Sequence, residues 1–164
     1  MTTRCLPVLT SLALLAGMQP GRPLLAQTAS PPAIHTTCPW LSAGSVAKAL
    51  GGEVDVISTG VNATEGSCRF SRRDSPTDWL EIAVGPGALP GCPVGSMNLA
   101  GIGNQAARCS THDMHGDTTE MLSGRVRDVA FSLTLREPGR DQKSSDPQND
   151  ALEQLAEQVA GNLF

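Results

Sequence analysis

The chain has 164 residues, of which 17% are charged and 3% are aromatic, and its formal net charge at pH 7 is −4. This acidic balance argues against nucleic-acid and anionic-membrane partners, because both are bound by positively charged surfaces. The sequence has no Tyr and only three Phe, so a base-stacking surface is not expected either.

Residues 1–26 are typical of a cleavable signal peptide. Arg4 precedes a mostly apolar run from Leu6 to Met18, which is too short to cross a bilayer as a helix, and a signal peptidase could cut after Ala26. An uncleaved N-terminal anchor or a peripheral helix is the alternative. Cleavage would remove two arginines and no acidic residue, which changes the formal charge from −4 to −6. We therefore expect a periplasmic or secreted protein with no stable membrane insertion after cleavage.

The mature chain is long enough for one domain with its own core. Residues 27–37 are small, polar and Pro-containing, which is typical of a flexible terminus. Residues 38–164 carry the periodic patterns of a single folded domain. The first of these patterns predicts a short helix over Ala43 to Leu50, with Ser42 as its N-cap and Gly51 at its end.

After the short helix the period of the apolar residues changes from about 3.6 to 2, which predicts strands. Gly124-Arg125 is predicted to turn the chain into the last strand, and residues from Gly85 to Gly103 are predicted to form one long loop. A closing helix is expected to begin at Asp146-Pro147 and to pack its apolar stripe on the sheet. The six predicted strands are 53–56, 68–71, 79–84, 106–112, 117–123 and 128–135.

The order of these elements determines the predicted fold class. It contains no strand–helix–strand crossover, so the sheet is predicted to be antiparallel. The strand over 128–135 has the cleanest alternation and is expected in the middle of the sheet. We expect an α+β domain with five to six strands, in which the N-terminal short helix and the C-terminal helix pack on one face.

Cys38, Cys68, Cys92 and Cys109 give the mature chain an even number of cysteines, which in an exported protein predicts disulfides. Four cysteines allow three pairings, and the sequence leaves them open. We favour Cys38–Cys68 with Cys92–Cys109, because these pairs join neighbours along the chain. A redox centre or a zinc site is the alternative, but the chain has no Cys-x-x-Cys pair to support either.

Residues 112–120 form the best candidate metal site of the chain. They contain two of its three histidines and three carboxylates, and the candidate ligands are His112, His115 and Asp117. On the predicted hairpin His115 lies at the tip and His112 lies further down the strand, so the three could meet at one ion only if the loop bends. An ordinary polar hairpin tip is the alternative interpretation.

Residues 101–106, Gly-Ile-Gly-Asn-Gln-Ala, match the G-x-G-x-x-A pattern of dinucleotide-binding loops. That function requires a strand before the glycines and a helix after them. Here a Gly/Pro-rich loop precedes them and a predicted strand follows, so we predict a tight glycine turn and no cofactor. The chain also lacks a G-x-S-x-G nucleophile elbow and any set of nucleophile, base and orienting group, so no catalytic residue is predicted.

Trp79 is the candidate partner-binding residue. It is predicted on the outward face of its strand, where an exposed Trp can anchor a partner or can cover the edge of its own sheet. The only other Trp, Trp40, lies close to Cys38 in the sequence.

Several short motifs together are similar to a known group of proteins. They are Cys38-Pro39-Trp40-Leu41 before the short helix, Cys68-Arg69-Phe70, the 101–106 glycine turn, and the final Ala/Leu helix. The chain resembles the small exported proteins and lipoproteins of unknown function that are common in actinobacteria and have Mog1/PsbP-like domains. The resemblance implies an antiparallel α+β sheet and a Cys38–Cys68 bridge, and it brings no catalytic residues. This chain departs from the group in lacking a lipidation cysteine after its apolar run.

These patterns favour a non-enzymatic exported binding module of the bacterial cell envelope. It would bind an envelope or secreted protein, or a small ligand, through its sheet face or through the loop from Gly85 to Gly103. Two alternatives belong to other classes. The first is a small metal-binding protein or metal-dependent enzyme that uses the 112–120 hairpin. The second is an inhibitor of a secreted enzyme.

Overall fold

The computed structural model describes residues 34–35, 37–87, 96–138 and 145–164. The predicted signal peptide and Cys92 lie outside the described residues. The described residues form two helices and eight strands: β1 Ile34–His35, α1 Ala43–Leu50, β2 Val54–Thr59, β3 Gly66–Arg72, β4 Trp79–Pro86, β5 Met97–Leu99, β6 Gln105–His112, β7 Thr118–Val126, β8 Val129–Glu137 and α2 Ser145–Leu163.

All the strands belong to one antiparallel sheet with the order β1-β2-β3-β4-β8-β7-β6-β5. The predicted α+β class and antiparallel sheet are therefore confirmed, and β8 lies in the middle of the sheet between β4 and β7. The predicted number of five to six strands is wrong, because seven strands have three or more residues and the two-residue β1 pairs at one edge.

The two strands that the sequence did not reveal are the edge strands β1 and β5. Ile34 and His35 of β1 pair with Thr59 and Ser58, so these two residues are strand rather than part of a flexible terminus. The three residues of β5 pair with β6 inside the region that was predicted to be one long loop. Neither strand is long enough to display an alternating pattern, which is why the period-2 signal missed both.

Helix α1 has the predicted bounds because its end signals are local. The Ser42 Oγ accepts a hydrogen bond from the Ser45 backbone N–H at 3.0 Å, which satisfies one of the unpaired donors of the first turn. Gly51 ends the helix with φ 72°, a left-handed conformation that costs glycine little. Val46 and Leu50 are buried and fix the helix on the sheet.

One face of the sheet packs against both helices and forms the core. Strand register places the apolar residues in rows across this face: Cys68, Ile82, Leu133 and Leu122 lie side by side in β3, β4, β8 and β7. Helix α1 lies over β2 to β4 and helix α2 over β8 and β7. The buried residues of α2 are Leu152, Leu155, Ala156, Val159 and Ala160.

Two polar contacts tie α2 to the rest of the domain. The Arg108 guanidinium of β6 lies between Glu120 of β7, at 2.8 Å, and Glu153 in the middle of α2, at 3.5 Å. Near the C-terminal end of the helix, the Asn162 amide donates to the Trp40 carbonyl at 2.9 Å. Among the described helices none is long and apolar enough to cross a membrane.

The β7–β8 hairpin turns at Arg127 and Asp128, three residues later than the Gly124-Arg125 turn that the sequence predicted. Arg127 has φ 53°, and Val126 pairs with Val129 across the turn. Gly124 instead lies inside β7, directly opposite Phe131. A Cβ atom on Gly124 would lie 2.3 Å from Cζ of Phe131. The glycine is therefore required by the close approach of a buried ring and not by a turn.

Residues before β6 form the tight glycine turn that the sequence predicted. Gly101 and Gly103 have φ 88° and 61°, and β6 follows directly at Gln105. The Asn104 backbone N–H donates to the Arg125 carbonyl at 2.7 Å, and its side-chain oxygen accepts from the Arg127 N–H at 2.6 Å. The segment is thus a turn that docks on the β7–β8 hairpin, and no helix follows that could receive a pyrophosphate.

Candidate functional site

The face of the sheet opposite α1 and α2 is called the outer face below. Its residues alternate along each strand with those of the core. In β4 the core residues are Leu80, Ile82 and Val84, whereas Trp79 and Glu81 lie on the outer face. This placement of Trp79 is the one that the alternation predicted.

Trp79 belongs to a small group of side chains on the outer face of β2, β3 and β4, which we call the β2–β4 patch: Ile57, Arg69, Trp79 and Glu81. Ile57 pairs with Arg69, and Arg69 pairs with Glu81, so these three lie side by side across the strands. Ile57 is 56% exposed, although it is large and apolar. The antiparallel register alone therefore assembles an aliphatic, a cationic and an anionic side chain next to an indole.

Arg69 connects the other members of the patch. Its guanidinium carbon lies 4.1 Å from the centroid of the Trp79 ring, within the range of a cation–π contact. The same guanidinium lies 3.6 Å from the Glu81 carboxylate, and both side chains are more than 40% exposed. The stacking holds the half-buried indole in one orientation, and the opposite charges of Arg69 and Glu81 leave the patch without net charge.

The β2–β4 patch contrasts with a buried region of the same face. In the middle and on the β6 side of the same face, Cys109, Ser123, Ala130 and Ser132 are buried. These four lie outside the hydrophobic core cluster. Among the described residues, the β2–β4 patch is therefore an accessible part of the outer face that a partner could meet.

The predicted metal ligands are all described, and the structure does not bring them together. His112 pairs with Thr118 across the hairpin, and its Nδ1 lies 3.1 Å from the Thr118 hydroxyl. Asp117 is one residue earlier than Thr118, and its carboxylate pairs with Arg136 at 2.7 Å, on the outer-face side. Because side chains alternate along a strand, His112 and Asp117 are directed to opposite faces. No group of three His, Cys, Asp or Glu side chains in the described residues could hold a metal ion.

Asp113 has a structural role at the same tip. Its Oδ1 accepts hydrogen bonds from the backbone N–H of His115, at 2.8 Å, and of Asp117, at 3.0 Å. These bonds, the Asp117 bond above all, lower the pKa of the Asp113 carboxyl below its usual range, because they stabilise the charged form. Asp113 therefore closes the turn that carries His115.

The cysteines are placed as follows. Cys38 and Cys68 form a disulfide with a Cα–Cα distance of 5.9 Å, which ties the segment before α1 to β3. This confirms one of the two favoured pairs. Cys109 is also disulfide-bonded, and its predicted partner Cys92 lies outside the described residues.

Trp40 is buried in the core with 1% exposure, and its indole N–H donates to the Ala63 carbonyl at 3.2 Å. It is therefore a structural residue, and of the two tryptophans only Trp79 belongs to a surface.

The sequence predicts the outward position of Trp79 but not its partners in the patch. Arg69, Glu81 and Ile57 each occupy a strand position that points away from the core, so alternation could have placed them on the outer face. Their contacts depend on the pairing of β2 with β3 and of β3 with β4, which no pattern within one strand reveals.

Comparison with known proteins finds no match: no family model fits the chain, and neither a curated protein nor a solved structure is significantly similar to it.

Proposed function

We propose that this protein is a non-enzymatic, exported binding module of the bacterial cell envelope, and that it contacts a protein partner through the β2–β4 patch. The observation that carries the proposal is the Trp79 indole, held under Arg69 on an accessible part of the outer face. Export is supported by the signal-peptide pattern of residues 1–26 and by the Cys38–Cys68 disulfide, since such bonds persist mainly in oxidising compartments.

The composition of the patch favours a protein as the partner. Trp and Arg are the residues that most often dominate the binding energy of protein interfaces. Here they are already in contact, so part of the entropy cost of fixing them is met before binding. The exposed Ile57 adds apolar area next to them, and the neutral Arg69–Glu81 pair suits a partner without strong charge.

The resemblance to small exported domains of unknown function supports the same role, because that group supplies no catalytic residues to carry over. An inhibitor of a secreted enzyme would use this surface in the same way. In that case the partner would be the enzyme, and the captured protein could be assayed with and without the module.

The proposal is tested by quantitative capture of proteins from the envelope fraction of the bacterium that encodes the chain. The wild-type protein is immobilised beside Ile57→Thr, Trp79→Ala and a control, Lys48→Ala, whose side chain is exposed on α1. Ile57→Thr keeps a β-branched residue at an exposed position, so it tests the patch with little risk to folding. Circular dichroism of each variant verifies that the fold is retained.

We expect one protein to be retained by the wild type and by Lys48→Ala, with retention reduced by Ile57→Thr and lost with Trp79→Ala. Truncating a central Trp typically costs about 2 kcal/mol or more, which is roughly a thirtyfold loss of affinity. Equal retention by all four proteins, or no protein retained by the wild type above a bare-resin control, would show that the patch is not a binding surface.

A further inference from the structure

The guanidinium of Arg69 donates no hydrogen bond within the part of the chain that the structure describes. The Glu81 carboxylate lies 3.6 Å away, which is too far for a hydrogen bond. Four other arginines differ from Arg69, because each donates to a carboxylate at 3.0 Å or less: Arg72, Arg73, Arg108 and Arg136. The N–H donors of the half-exposed Arg69 side chain therefore remain available to a partner.

The indole N–H of Trp79 is a second donor of the β2–β4 patch without an acceptor. It makes no hydrogen bond to any described residue, whereas the indole N–H of Trp40 donates to the Ala63 carbonyl at 3.2 Å. The Trp79 side chain is half-buried, and the guanidinium carbon of Arg69 lies 4.1 Å from its ring centroid. The unsatisfied donors of Arg69 and Trp79 are therefore adjacent.

A partner that covers the patch must supply acceptors for these donors. Binding removes water from the patch, and an N–H group that then finds no acceptor weakens the complex roughly tenfold or more. The partner is therefore one that presents hydrogen-bond acceptors to Arg69 and Trp79.

The charges of the patch favour a neutral acceptor. A partner carboxylate would be attracted by Arg69 but repelled by Glu81, which lies beside it, so it would lose its hydration for little net attraction. A main-chain carbonyl oxygen costs less to desolvate and also accepts from N–H groups. Ile57 pairs with Arg69 and is 56% exposed, which favours an aliphatic side chain next to that carbonyl.

We propose that the partner contacts the β2–β4 patch with a loop or an extended segment whose unpaired main-chain carbonyl oxygens accept from Arg69 and Trp79. An aliphatic side chain of the same segment packs against Ile57. This inference rests on the proposed binding function and adds the chemistry of the partner, which is neutral at the contact rather than acidic.

The probe is a phage-displayed library of random short peptides, selected on the wild-type protein and counter-selected on Trp79→Ala. Peptides that pass both steps bind the patch, and they are synthesised with blocked ends so that they carry no terminal charge. Their affinities are measured for the wild type, Trp79→Phe and the control Lys48→Ala. Trp79→Phe keeps an aromatic ring but lacks the N–H, and circular dichroism verifies that its fold is retained.

We expect the selected peptides to be rich in aliphatic residues and poor in acidic ones. Trp79→Phe should weaken their binding about tenfold, because one hydrogen bond is lost, and Lys48→Ala should leave it unchanged. Their affinity for the wild type should not fall when NaCl is raised from about 0.1 M to 1 M, because salt screens only charged contacts. In heteronuclear NMR spectra the peptide should shift the indole N–H signal that Trp79→Phe lacks, and should leave that of Trp40 in place.

Two results would overturn this inference while leaving the patch as a binding surface. One is a set of acidic peptides whose affinity falls with salt, and the other is binding to Trp79→Phe as tight as to the wild type. If no peptide distinguishes the wild type from Trp79→Ala, the inference is overturned as well, and the proposed function is then decided separately by the capture of envelope proteins.

Discussion

Gly124 provides the sharpest test of the packing described above. A Cβ atom at this position would lie 2.3 Å from Cζ and 2.6 Å from Cε1 of Phe131, whose side chain is 1% exposed. The ring cannot move away freely, because it is part of the closely packed core. We expect Gly124→Ala to lower the free energy of unfolding by about 1–3 kcal/mol, the usual cost of overpacking a core.

The measurement is urea denaturation of the oxidised protein, followed by circular dichroism. Gly85→Ala is the matched control, since Gly85 lies in β4, on the other side of β8, and a Cβ there would meet no atom within 4 Å. It should leave stability unchanged or raise it by about 0.4–1 kcal/mol. In a Phe131→Leu background the added methyl should cost less, because the leucine side chain lacks the ring atoms that the methyl would strike. If Gly124→Ala costs as much in the Phe131→Leu background as in the wild type, or costs nothing, the assigned contact is wrong.

Two further predictions concern stability. Replacing Cys38 and Cys68 together by Ala should lower the free energy of unfolding by about 3.6 kcal/mol in the chain-entropy model, since the bridge closes a loop with a sequence separation of 30. Urea denaturation checks this, and a loss below about 1 kcal/mol would mean that the bridge does not restrict the unfolded chain. At the hairpin tip, the lowered pKa of Asp113 means that its carboxylate stabilises the folded turn at neutral pH. This stabilisation is lost as the pH falls below about 4 and through the lowered pKa. Hydrogen-exchange protection factors of the His115 and Asp117 amides should therefore decrease on acidification in the wild type, and should be independent of pH in Asp113→Asn, whose side-chain oxygen accepts the same bonds but carries no charge to lose. If amide protection decreases equally on acidification in both proteins, the Asp113 carboxylate does not stabilise the turn.

The parts of the fold that the sequence predicts are those with local signals. Helix α1 is an example, because its cap Ser42 and its C-terminal Gly51 act on residues within one turn of themselves. The alternation of Leu80, Ile82 and Val84 likewise predicts which face of β4 is buried. It therefore places Trp79 on the outer face.

The parts that could not be predicted depend on contacts across strands. Gly124 looks like a turn residue in the sequence, but its conformation is extended and its reason is the ring of Phe131 on the next strand. The edge strands β1 and β5 could not be predicted for a different reason. With two and three residues they contain too little chain for a period, and only their pairing identifies them.

The candidate sites show the same difference between local signals, which the sequence contains, and contacts across strands, which it does not. The sequence placed His112, His115 and Asp117 within six residues, but the pleat of the strands separates His112 from Asp117. In the β2–β4 patch the chemistry depends on Arg69 lying over Trp79, and this contact follows from the β3–β4 register rather than from any motif.

The proposal that the β2–β4 patch is a binding surface is tested most directly by cross-linking in the living cell. A photoreactive amino acid is placed at Ala83, which is exposed next to the patch on the outer face, and in a second protein at Lys48, which is exposed on α1. We expect light to join one cell-envelope protein to the probe at Ala83 but not to the probe at Lys48, and we expect Trp79→Ala to abolish this product. The same product from both positions, or a product from Ala83 that survives Trp79→Ala, would contradict the proposed function.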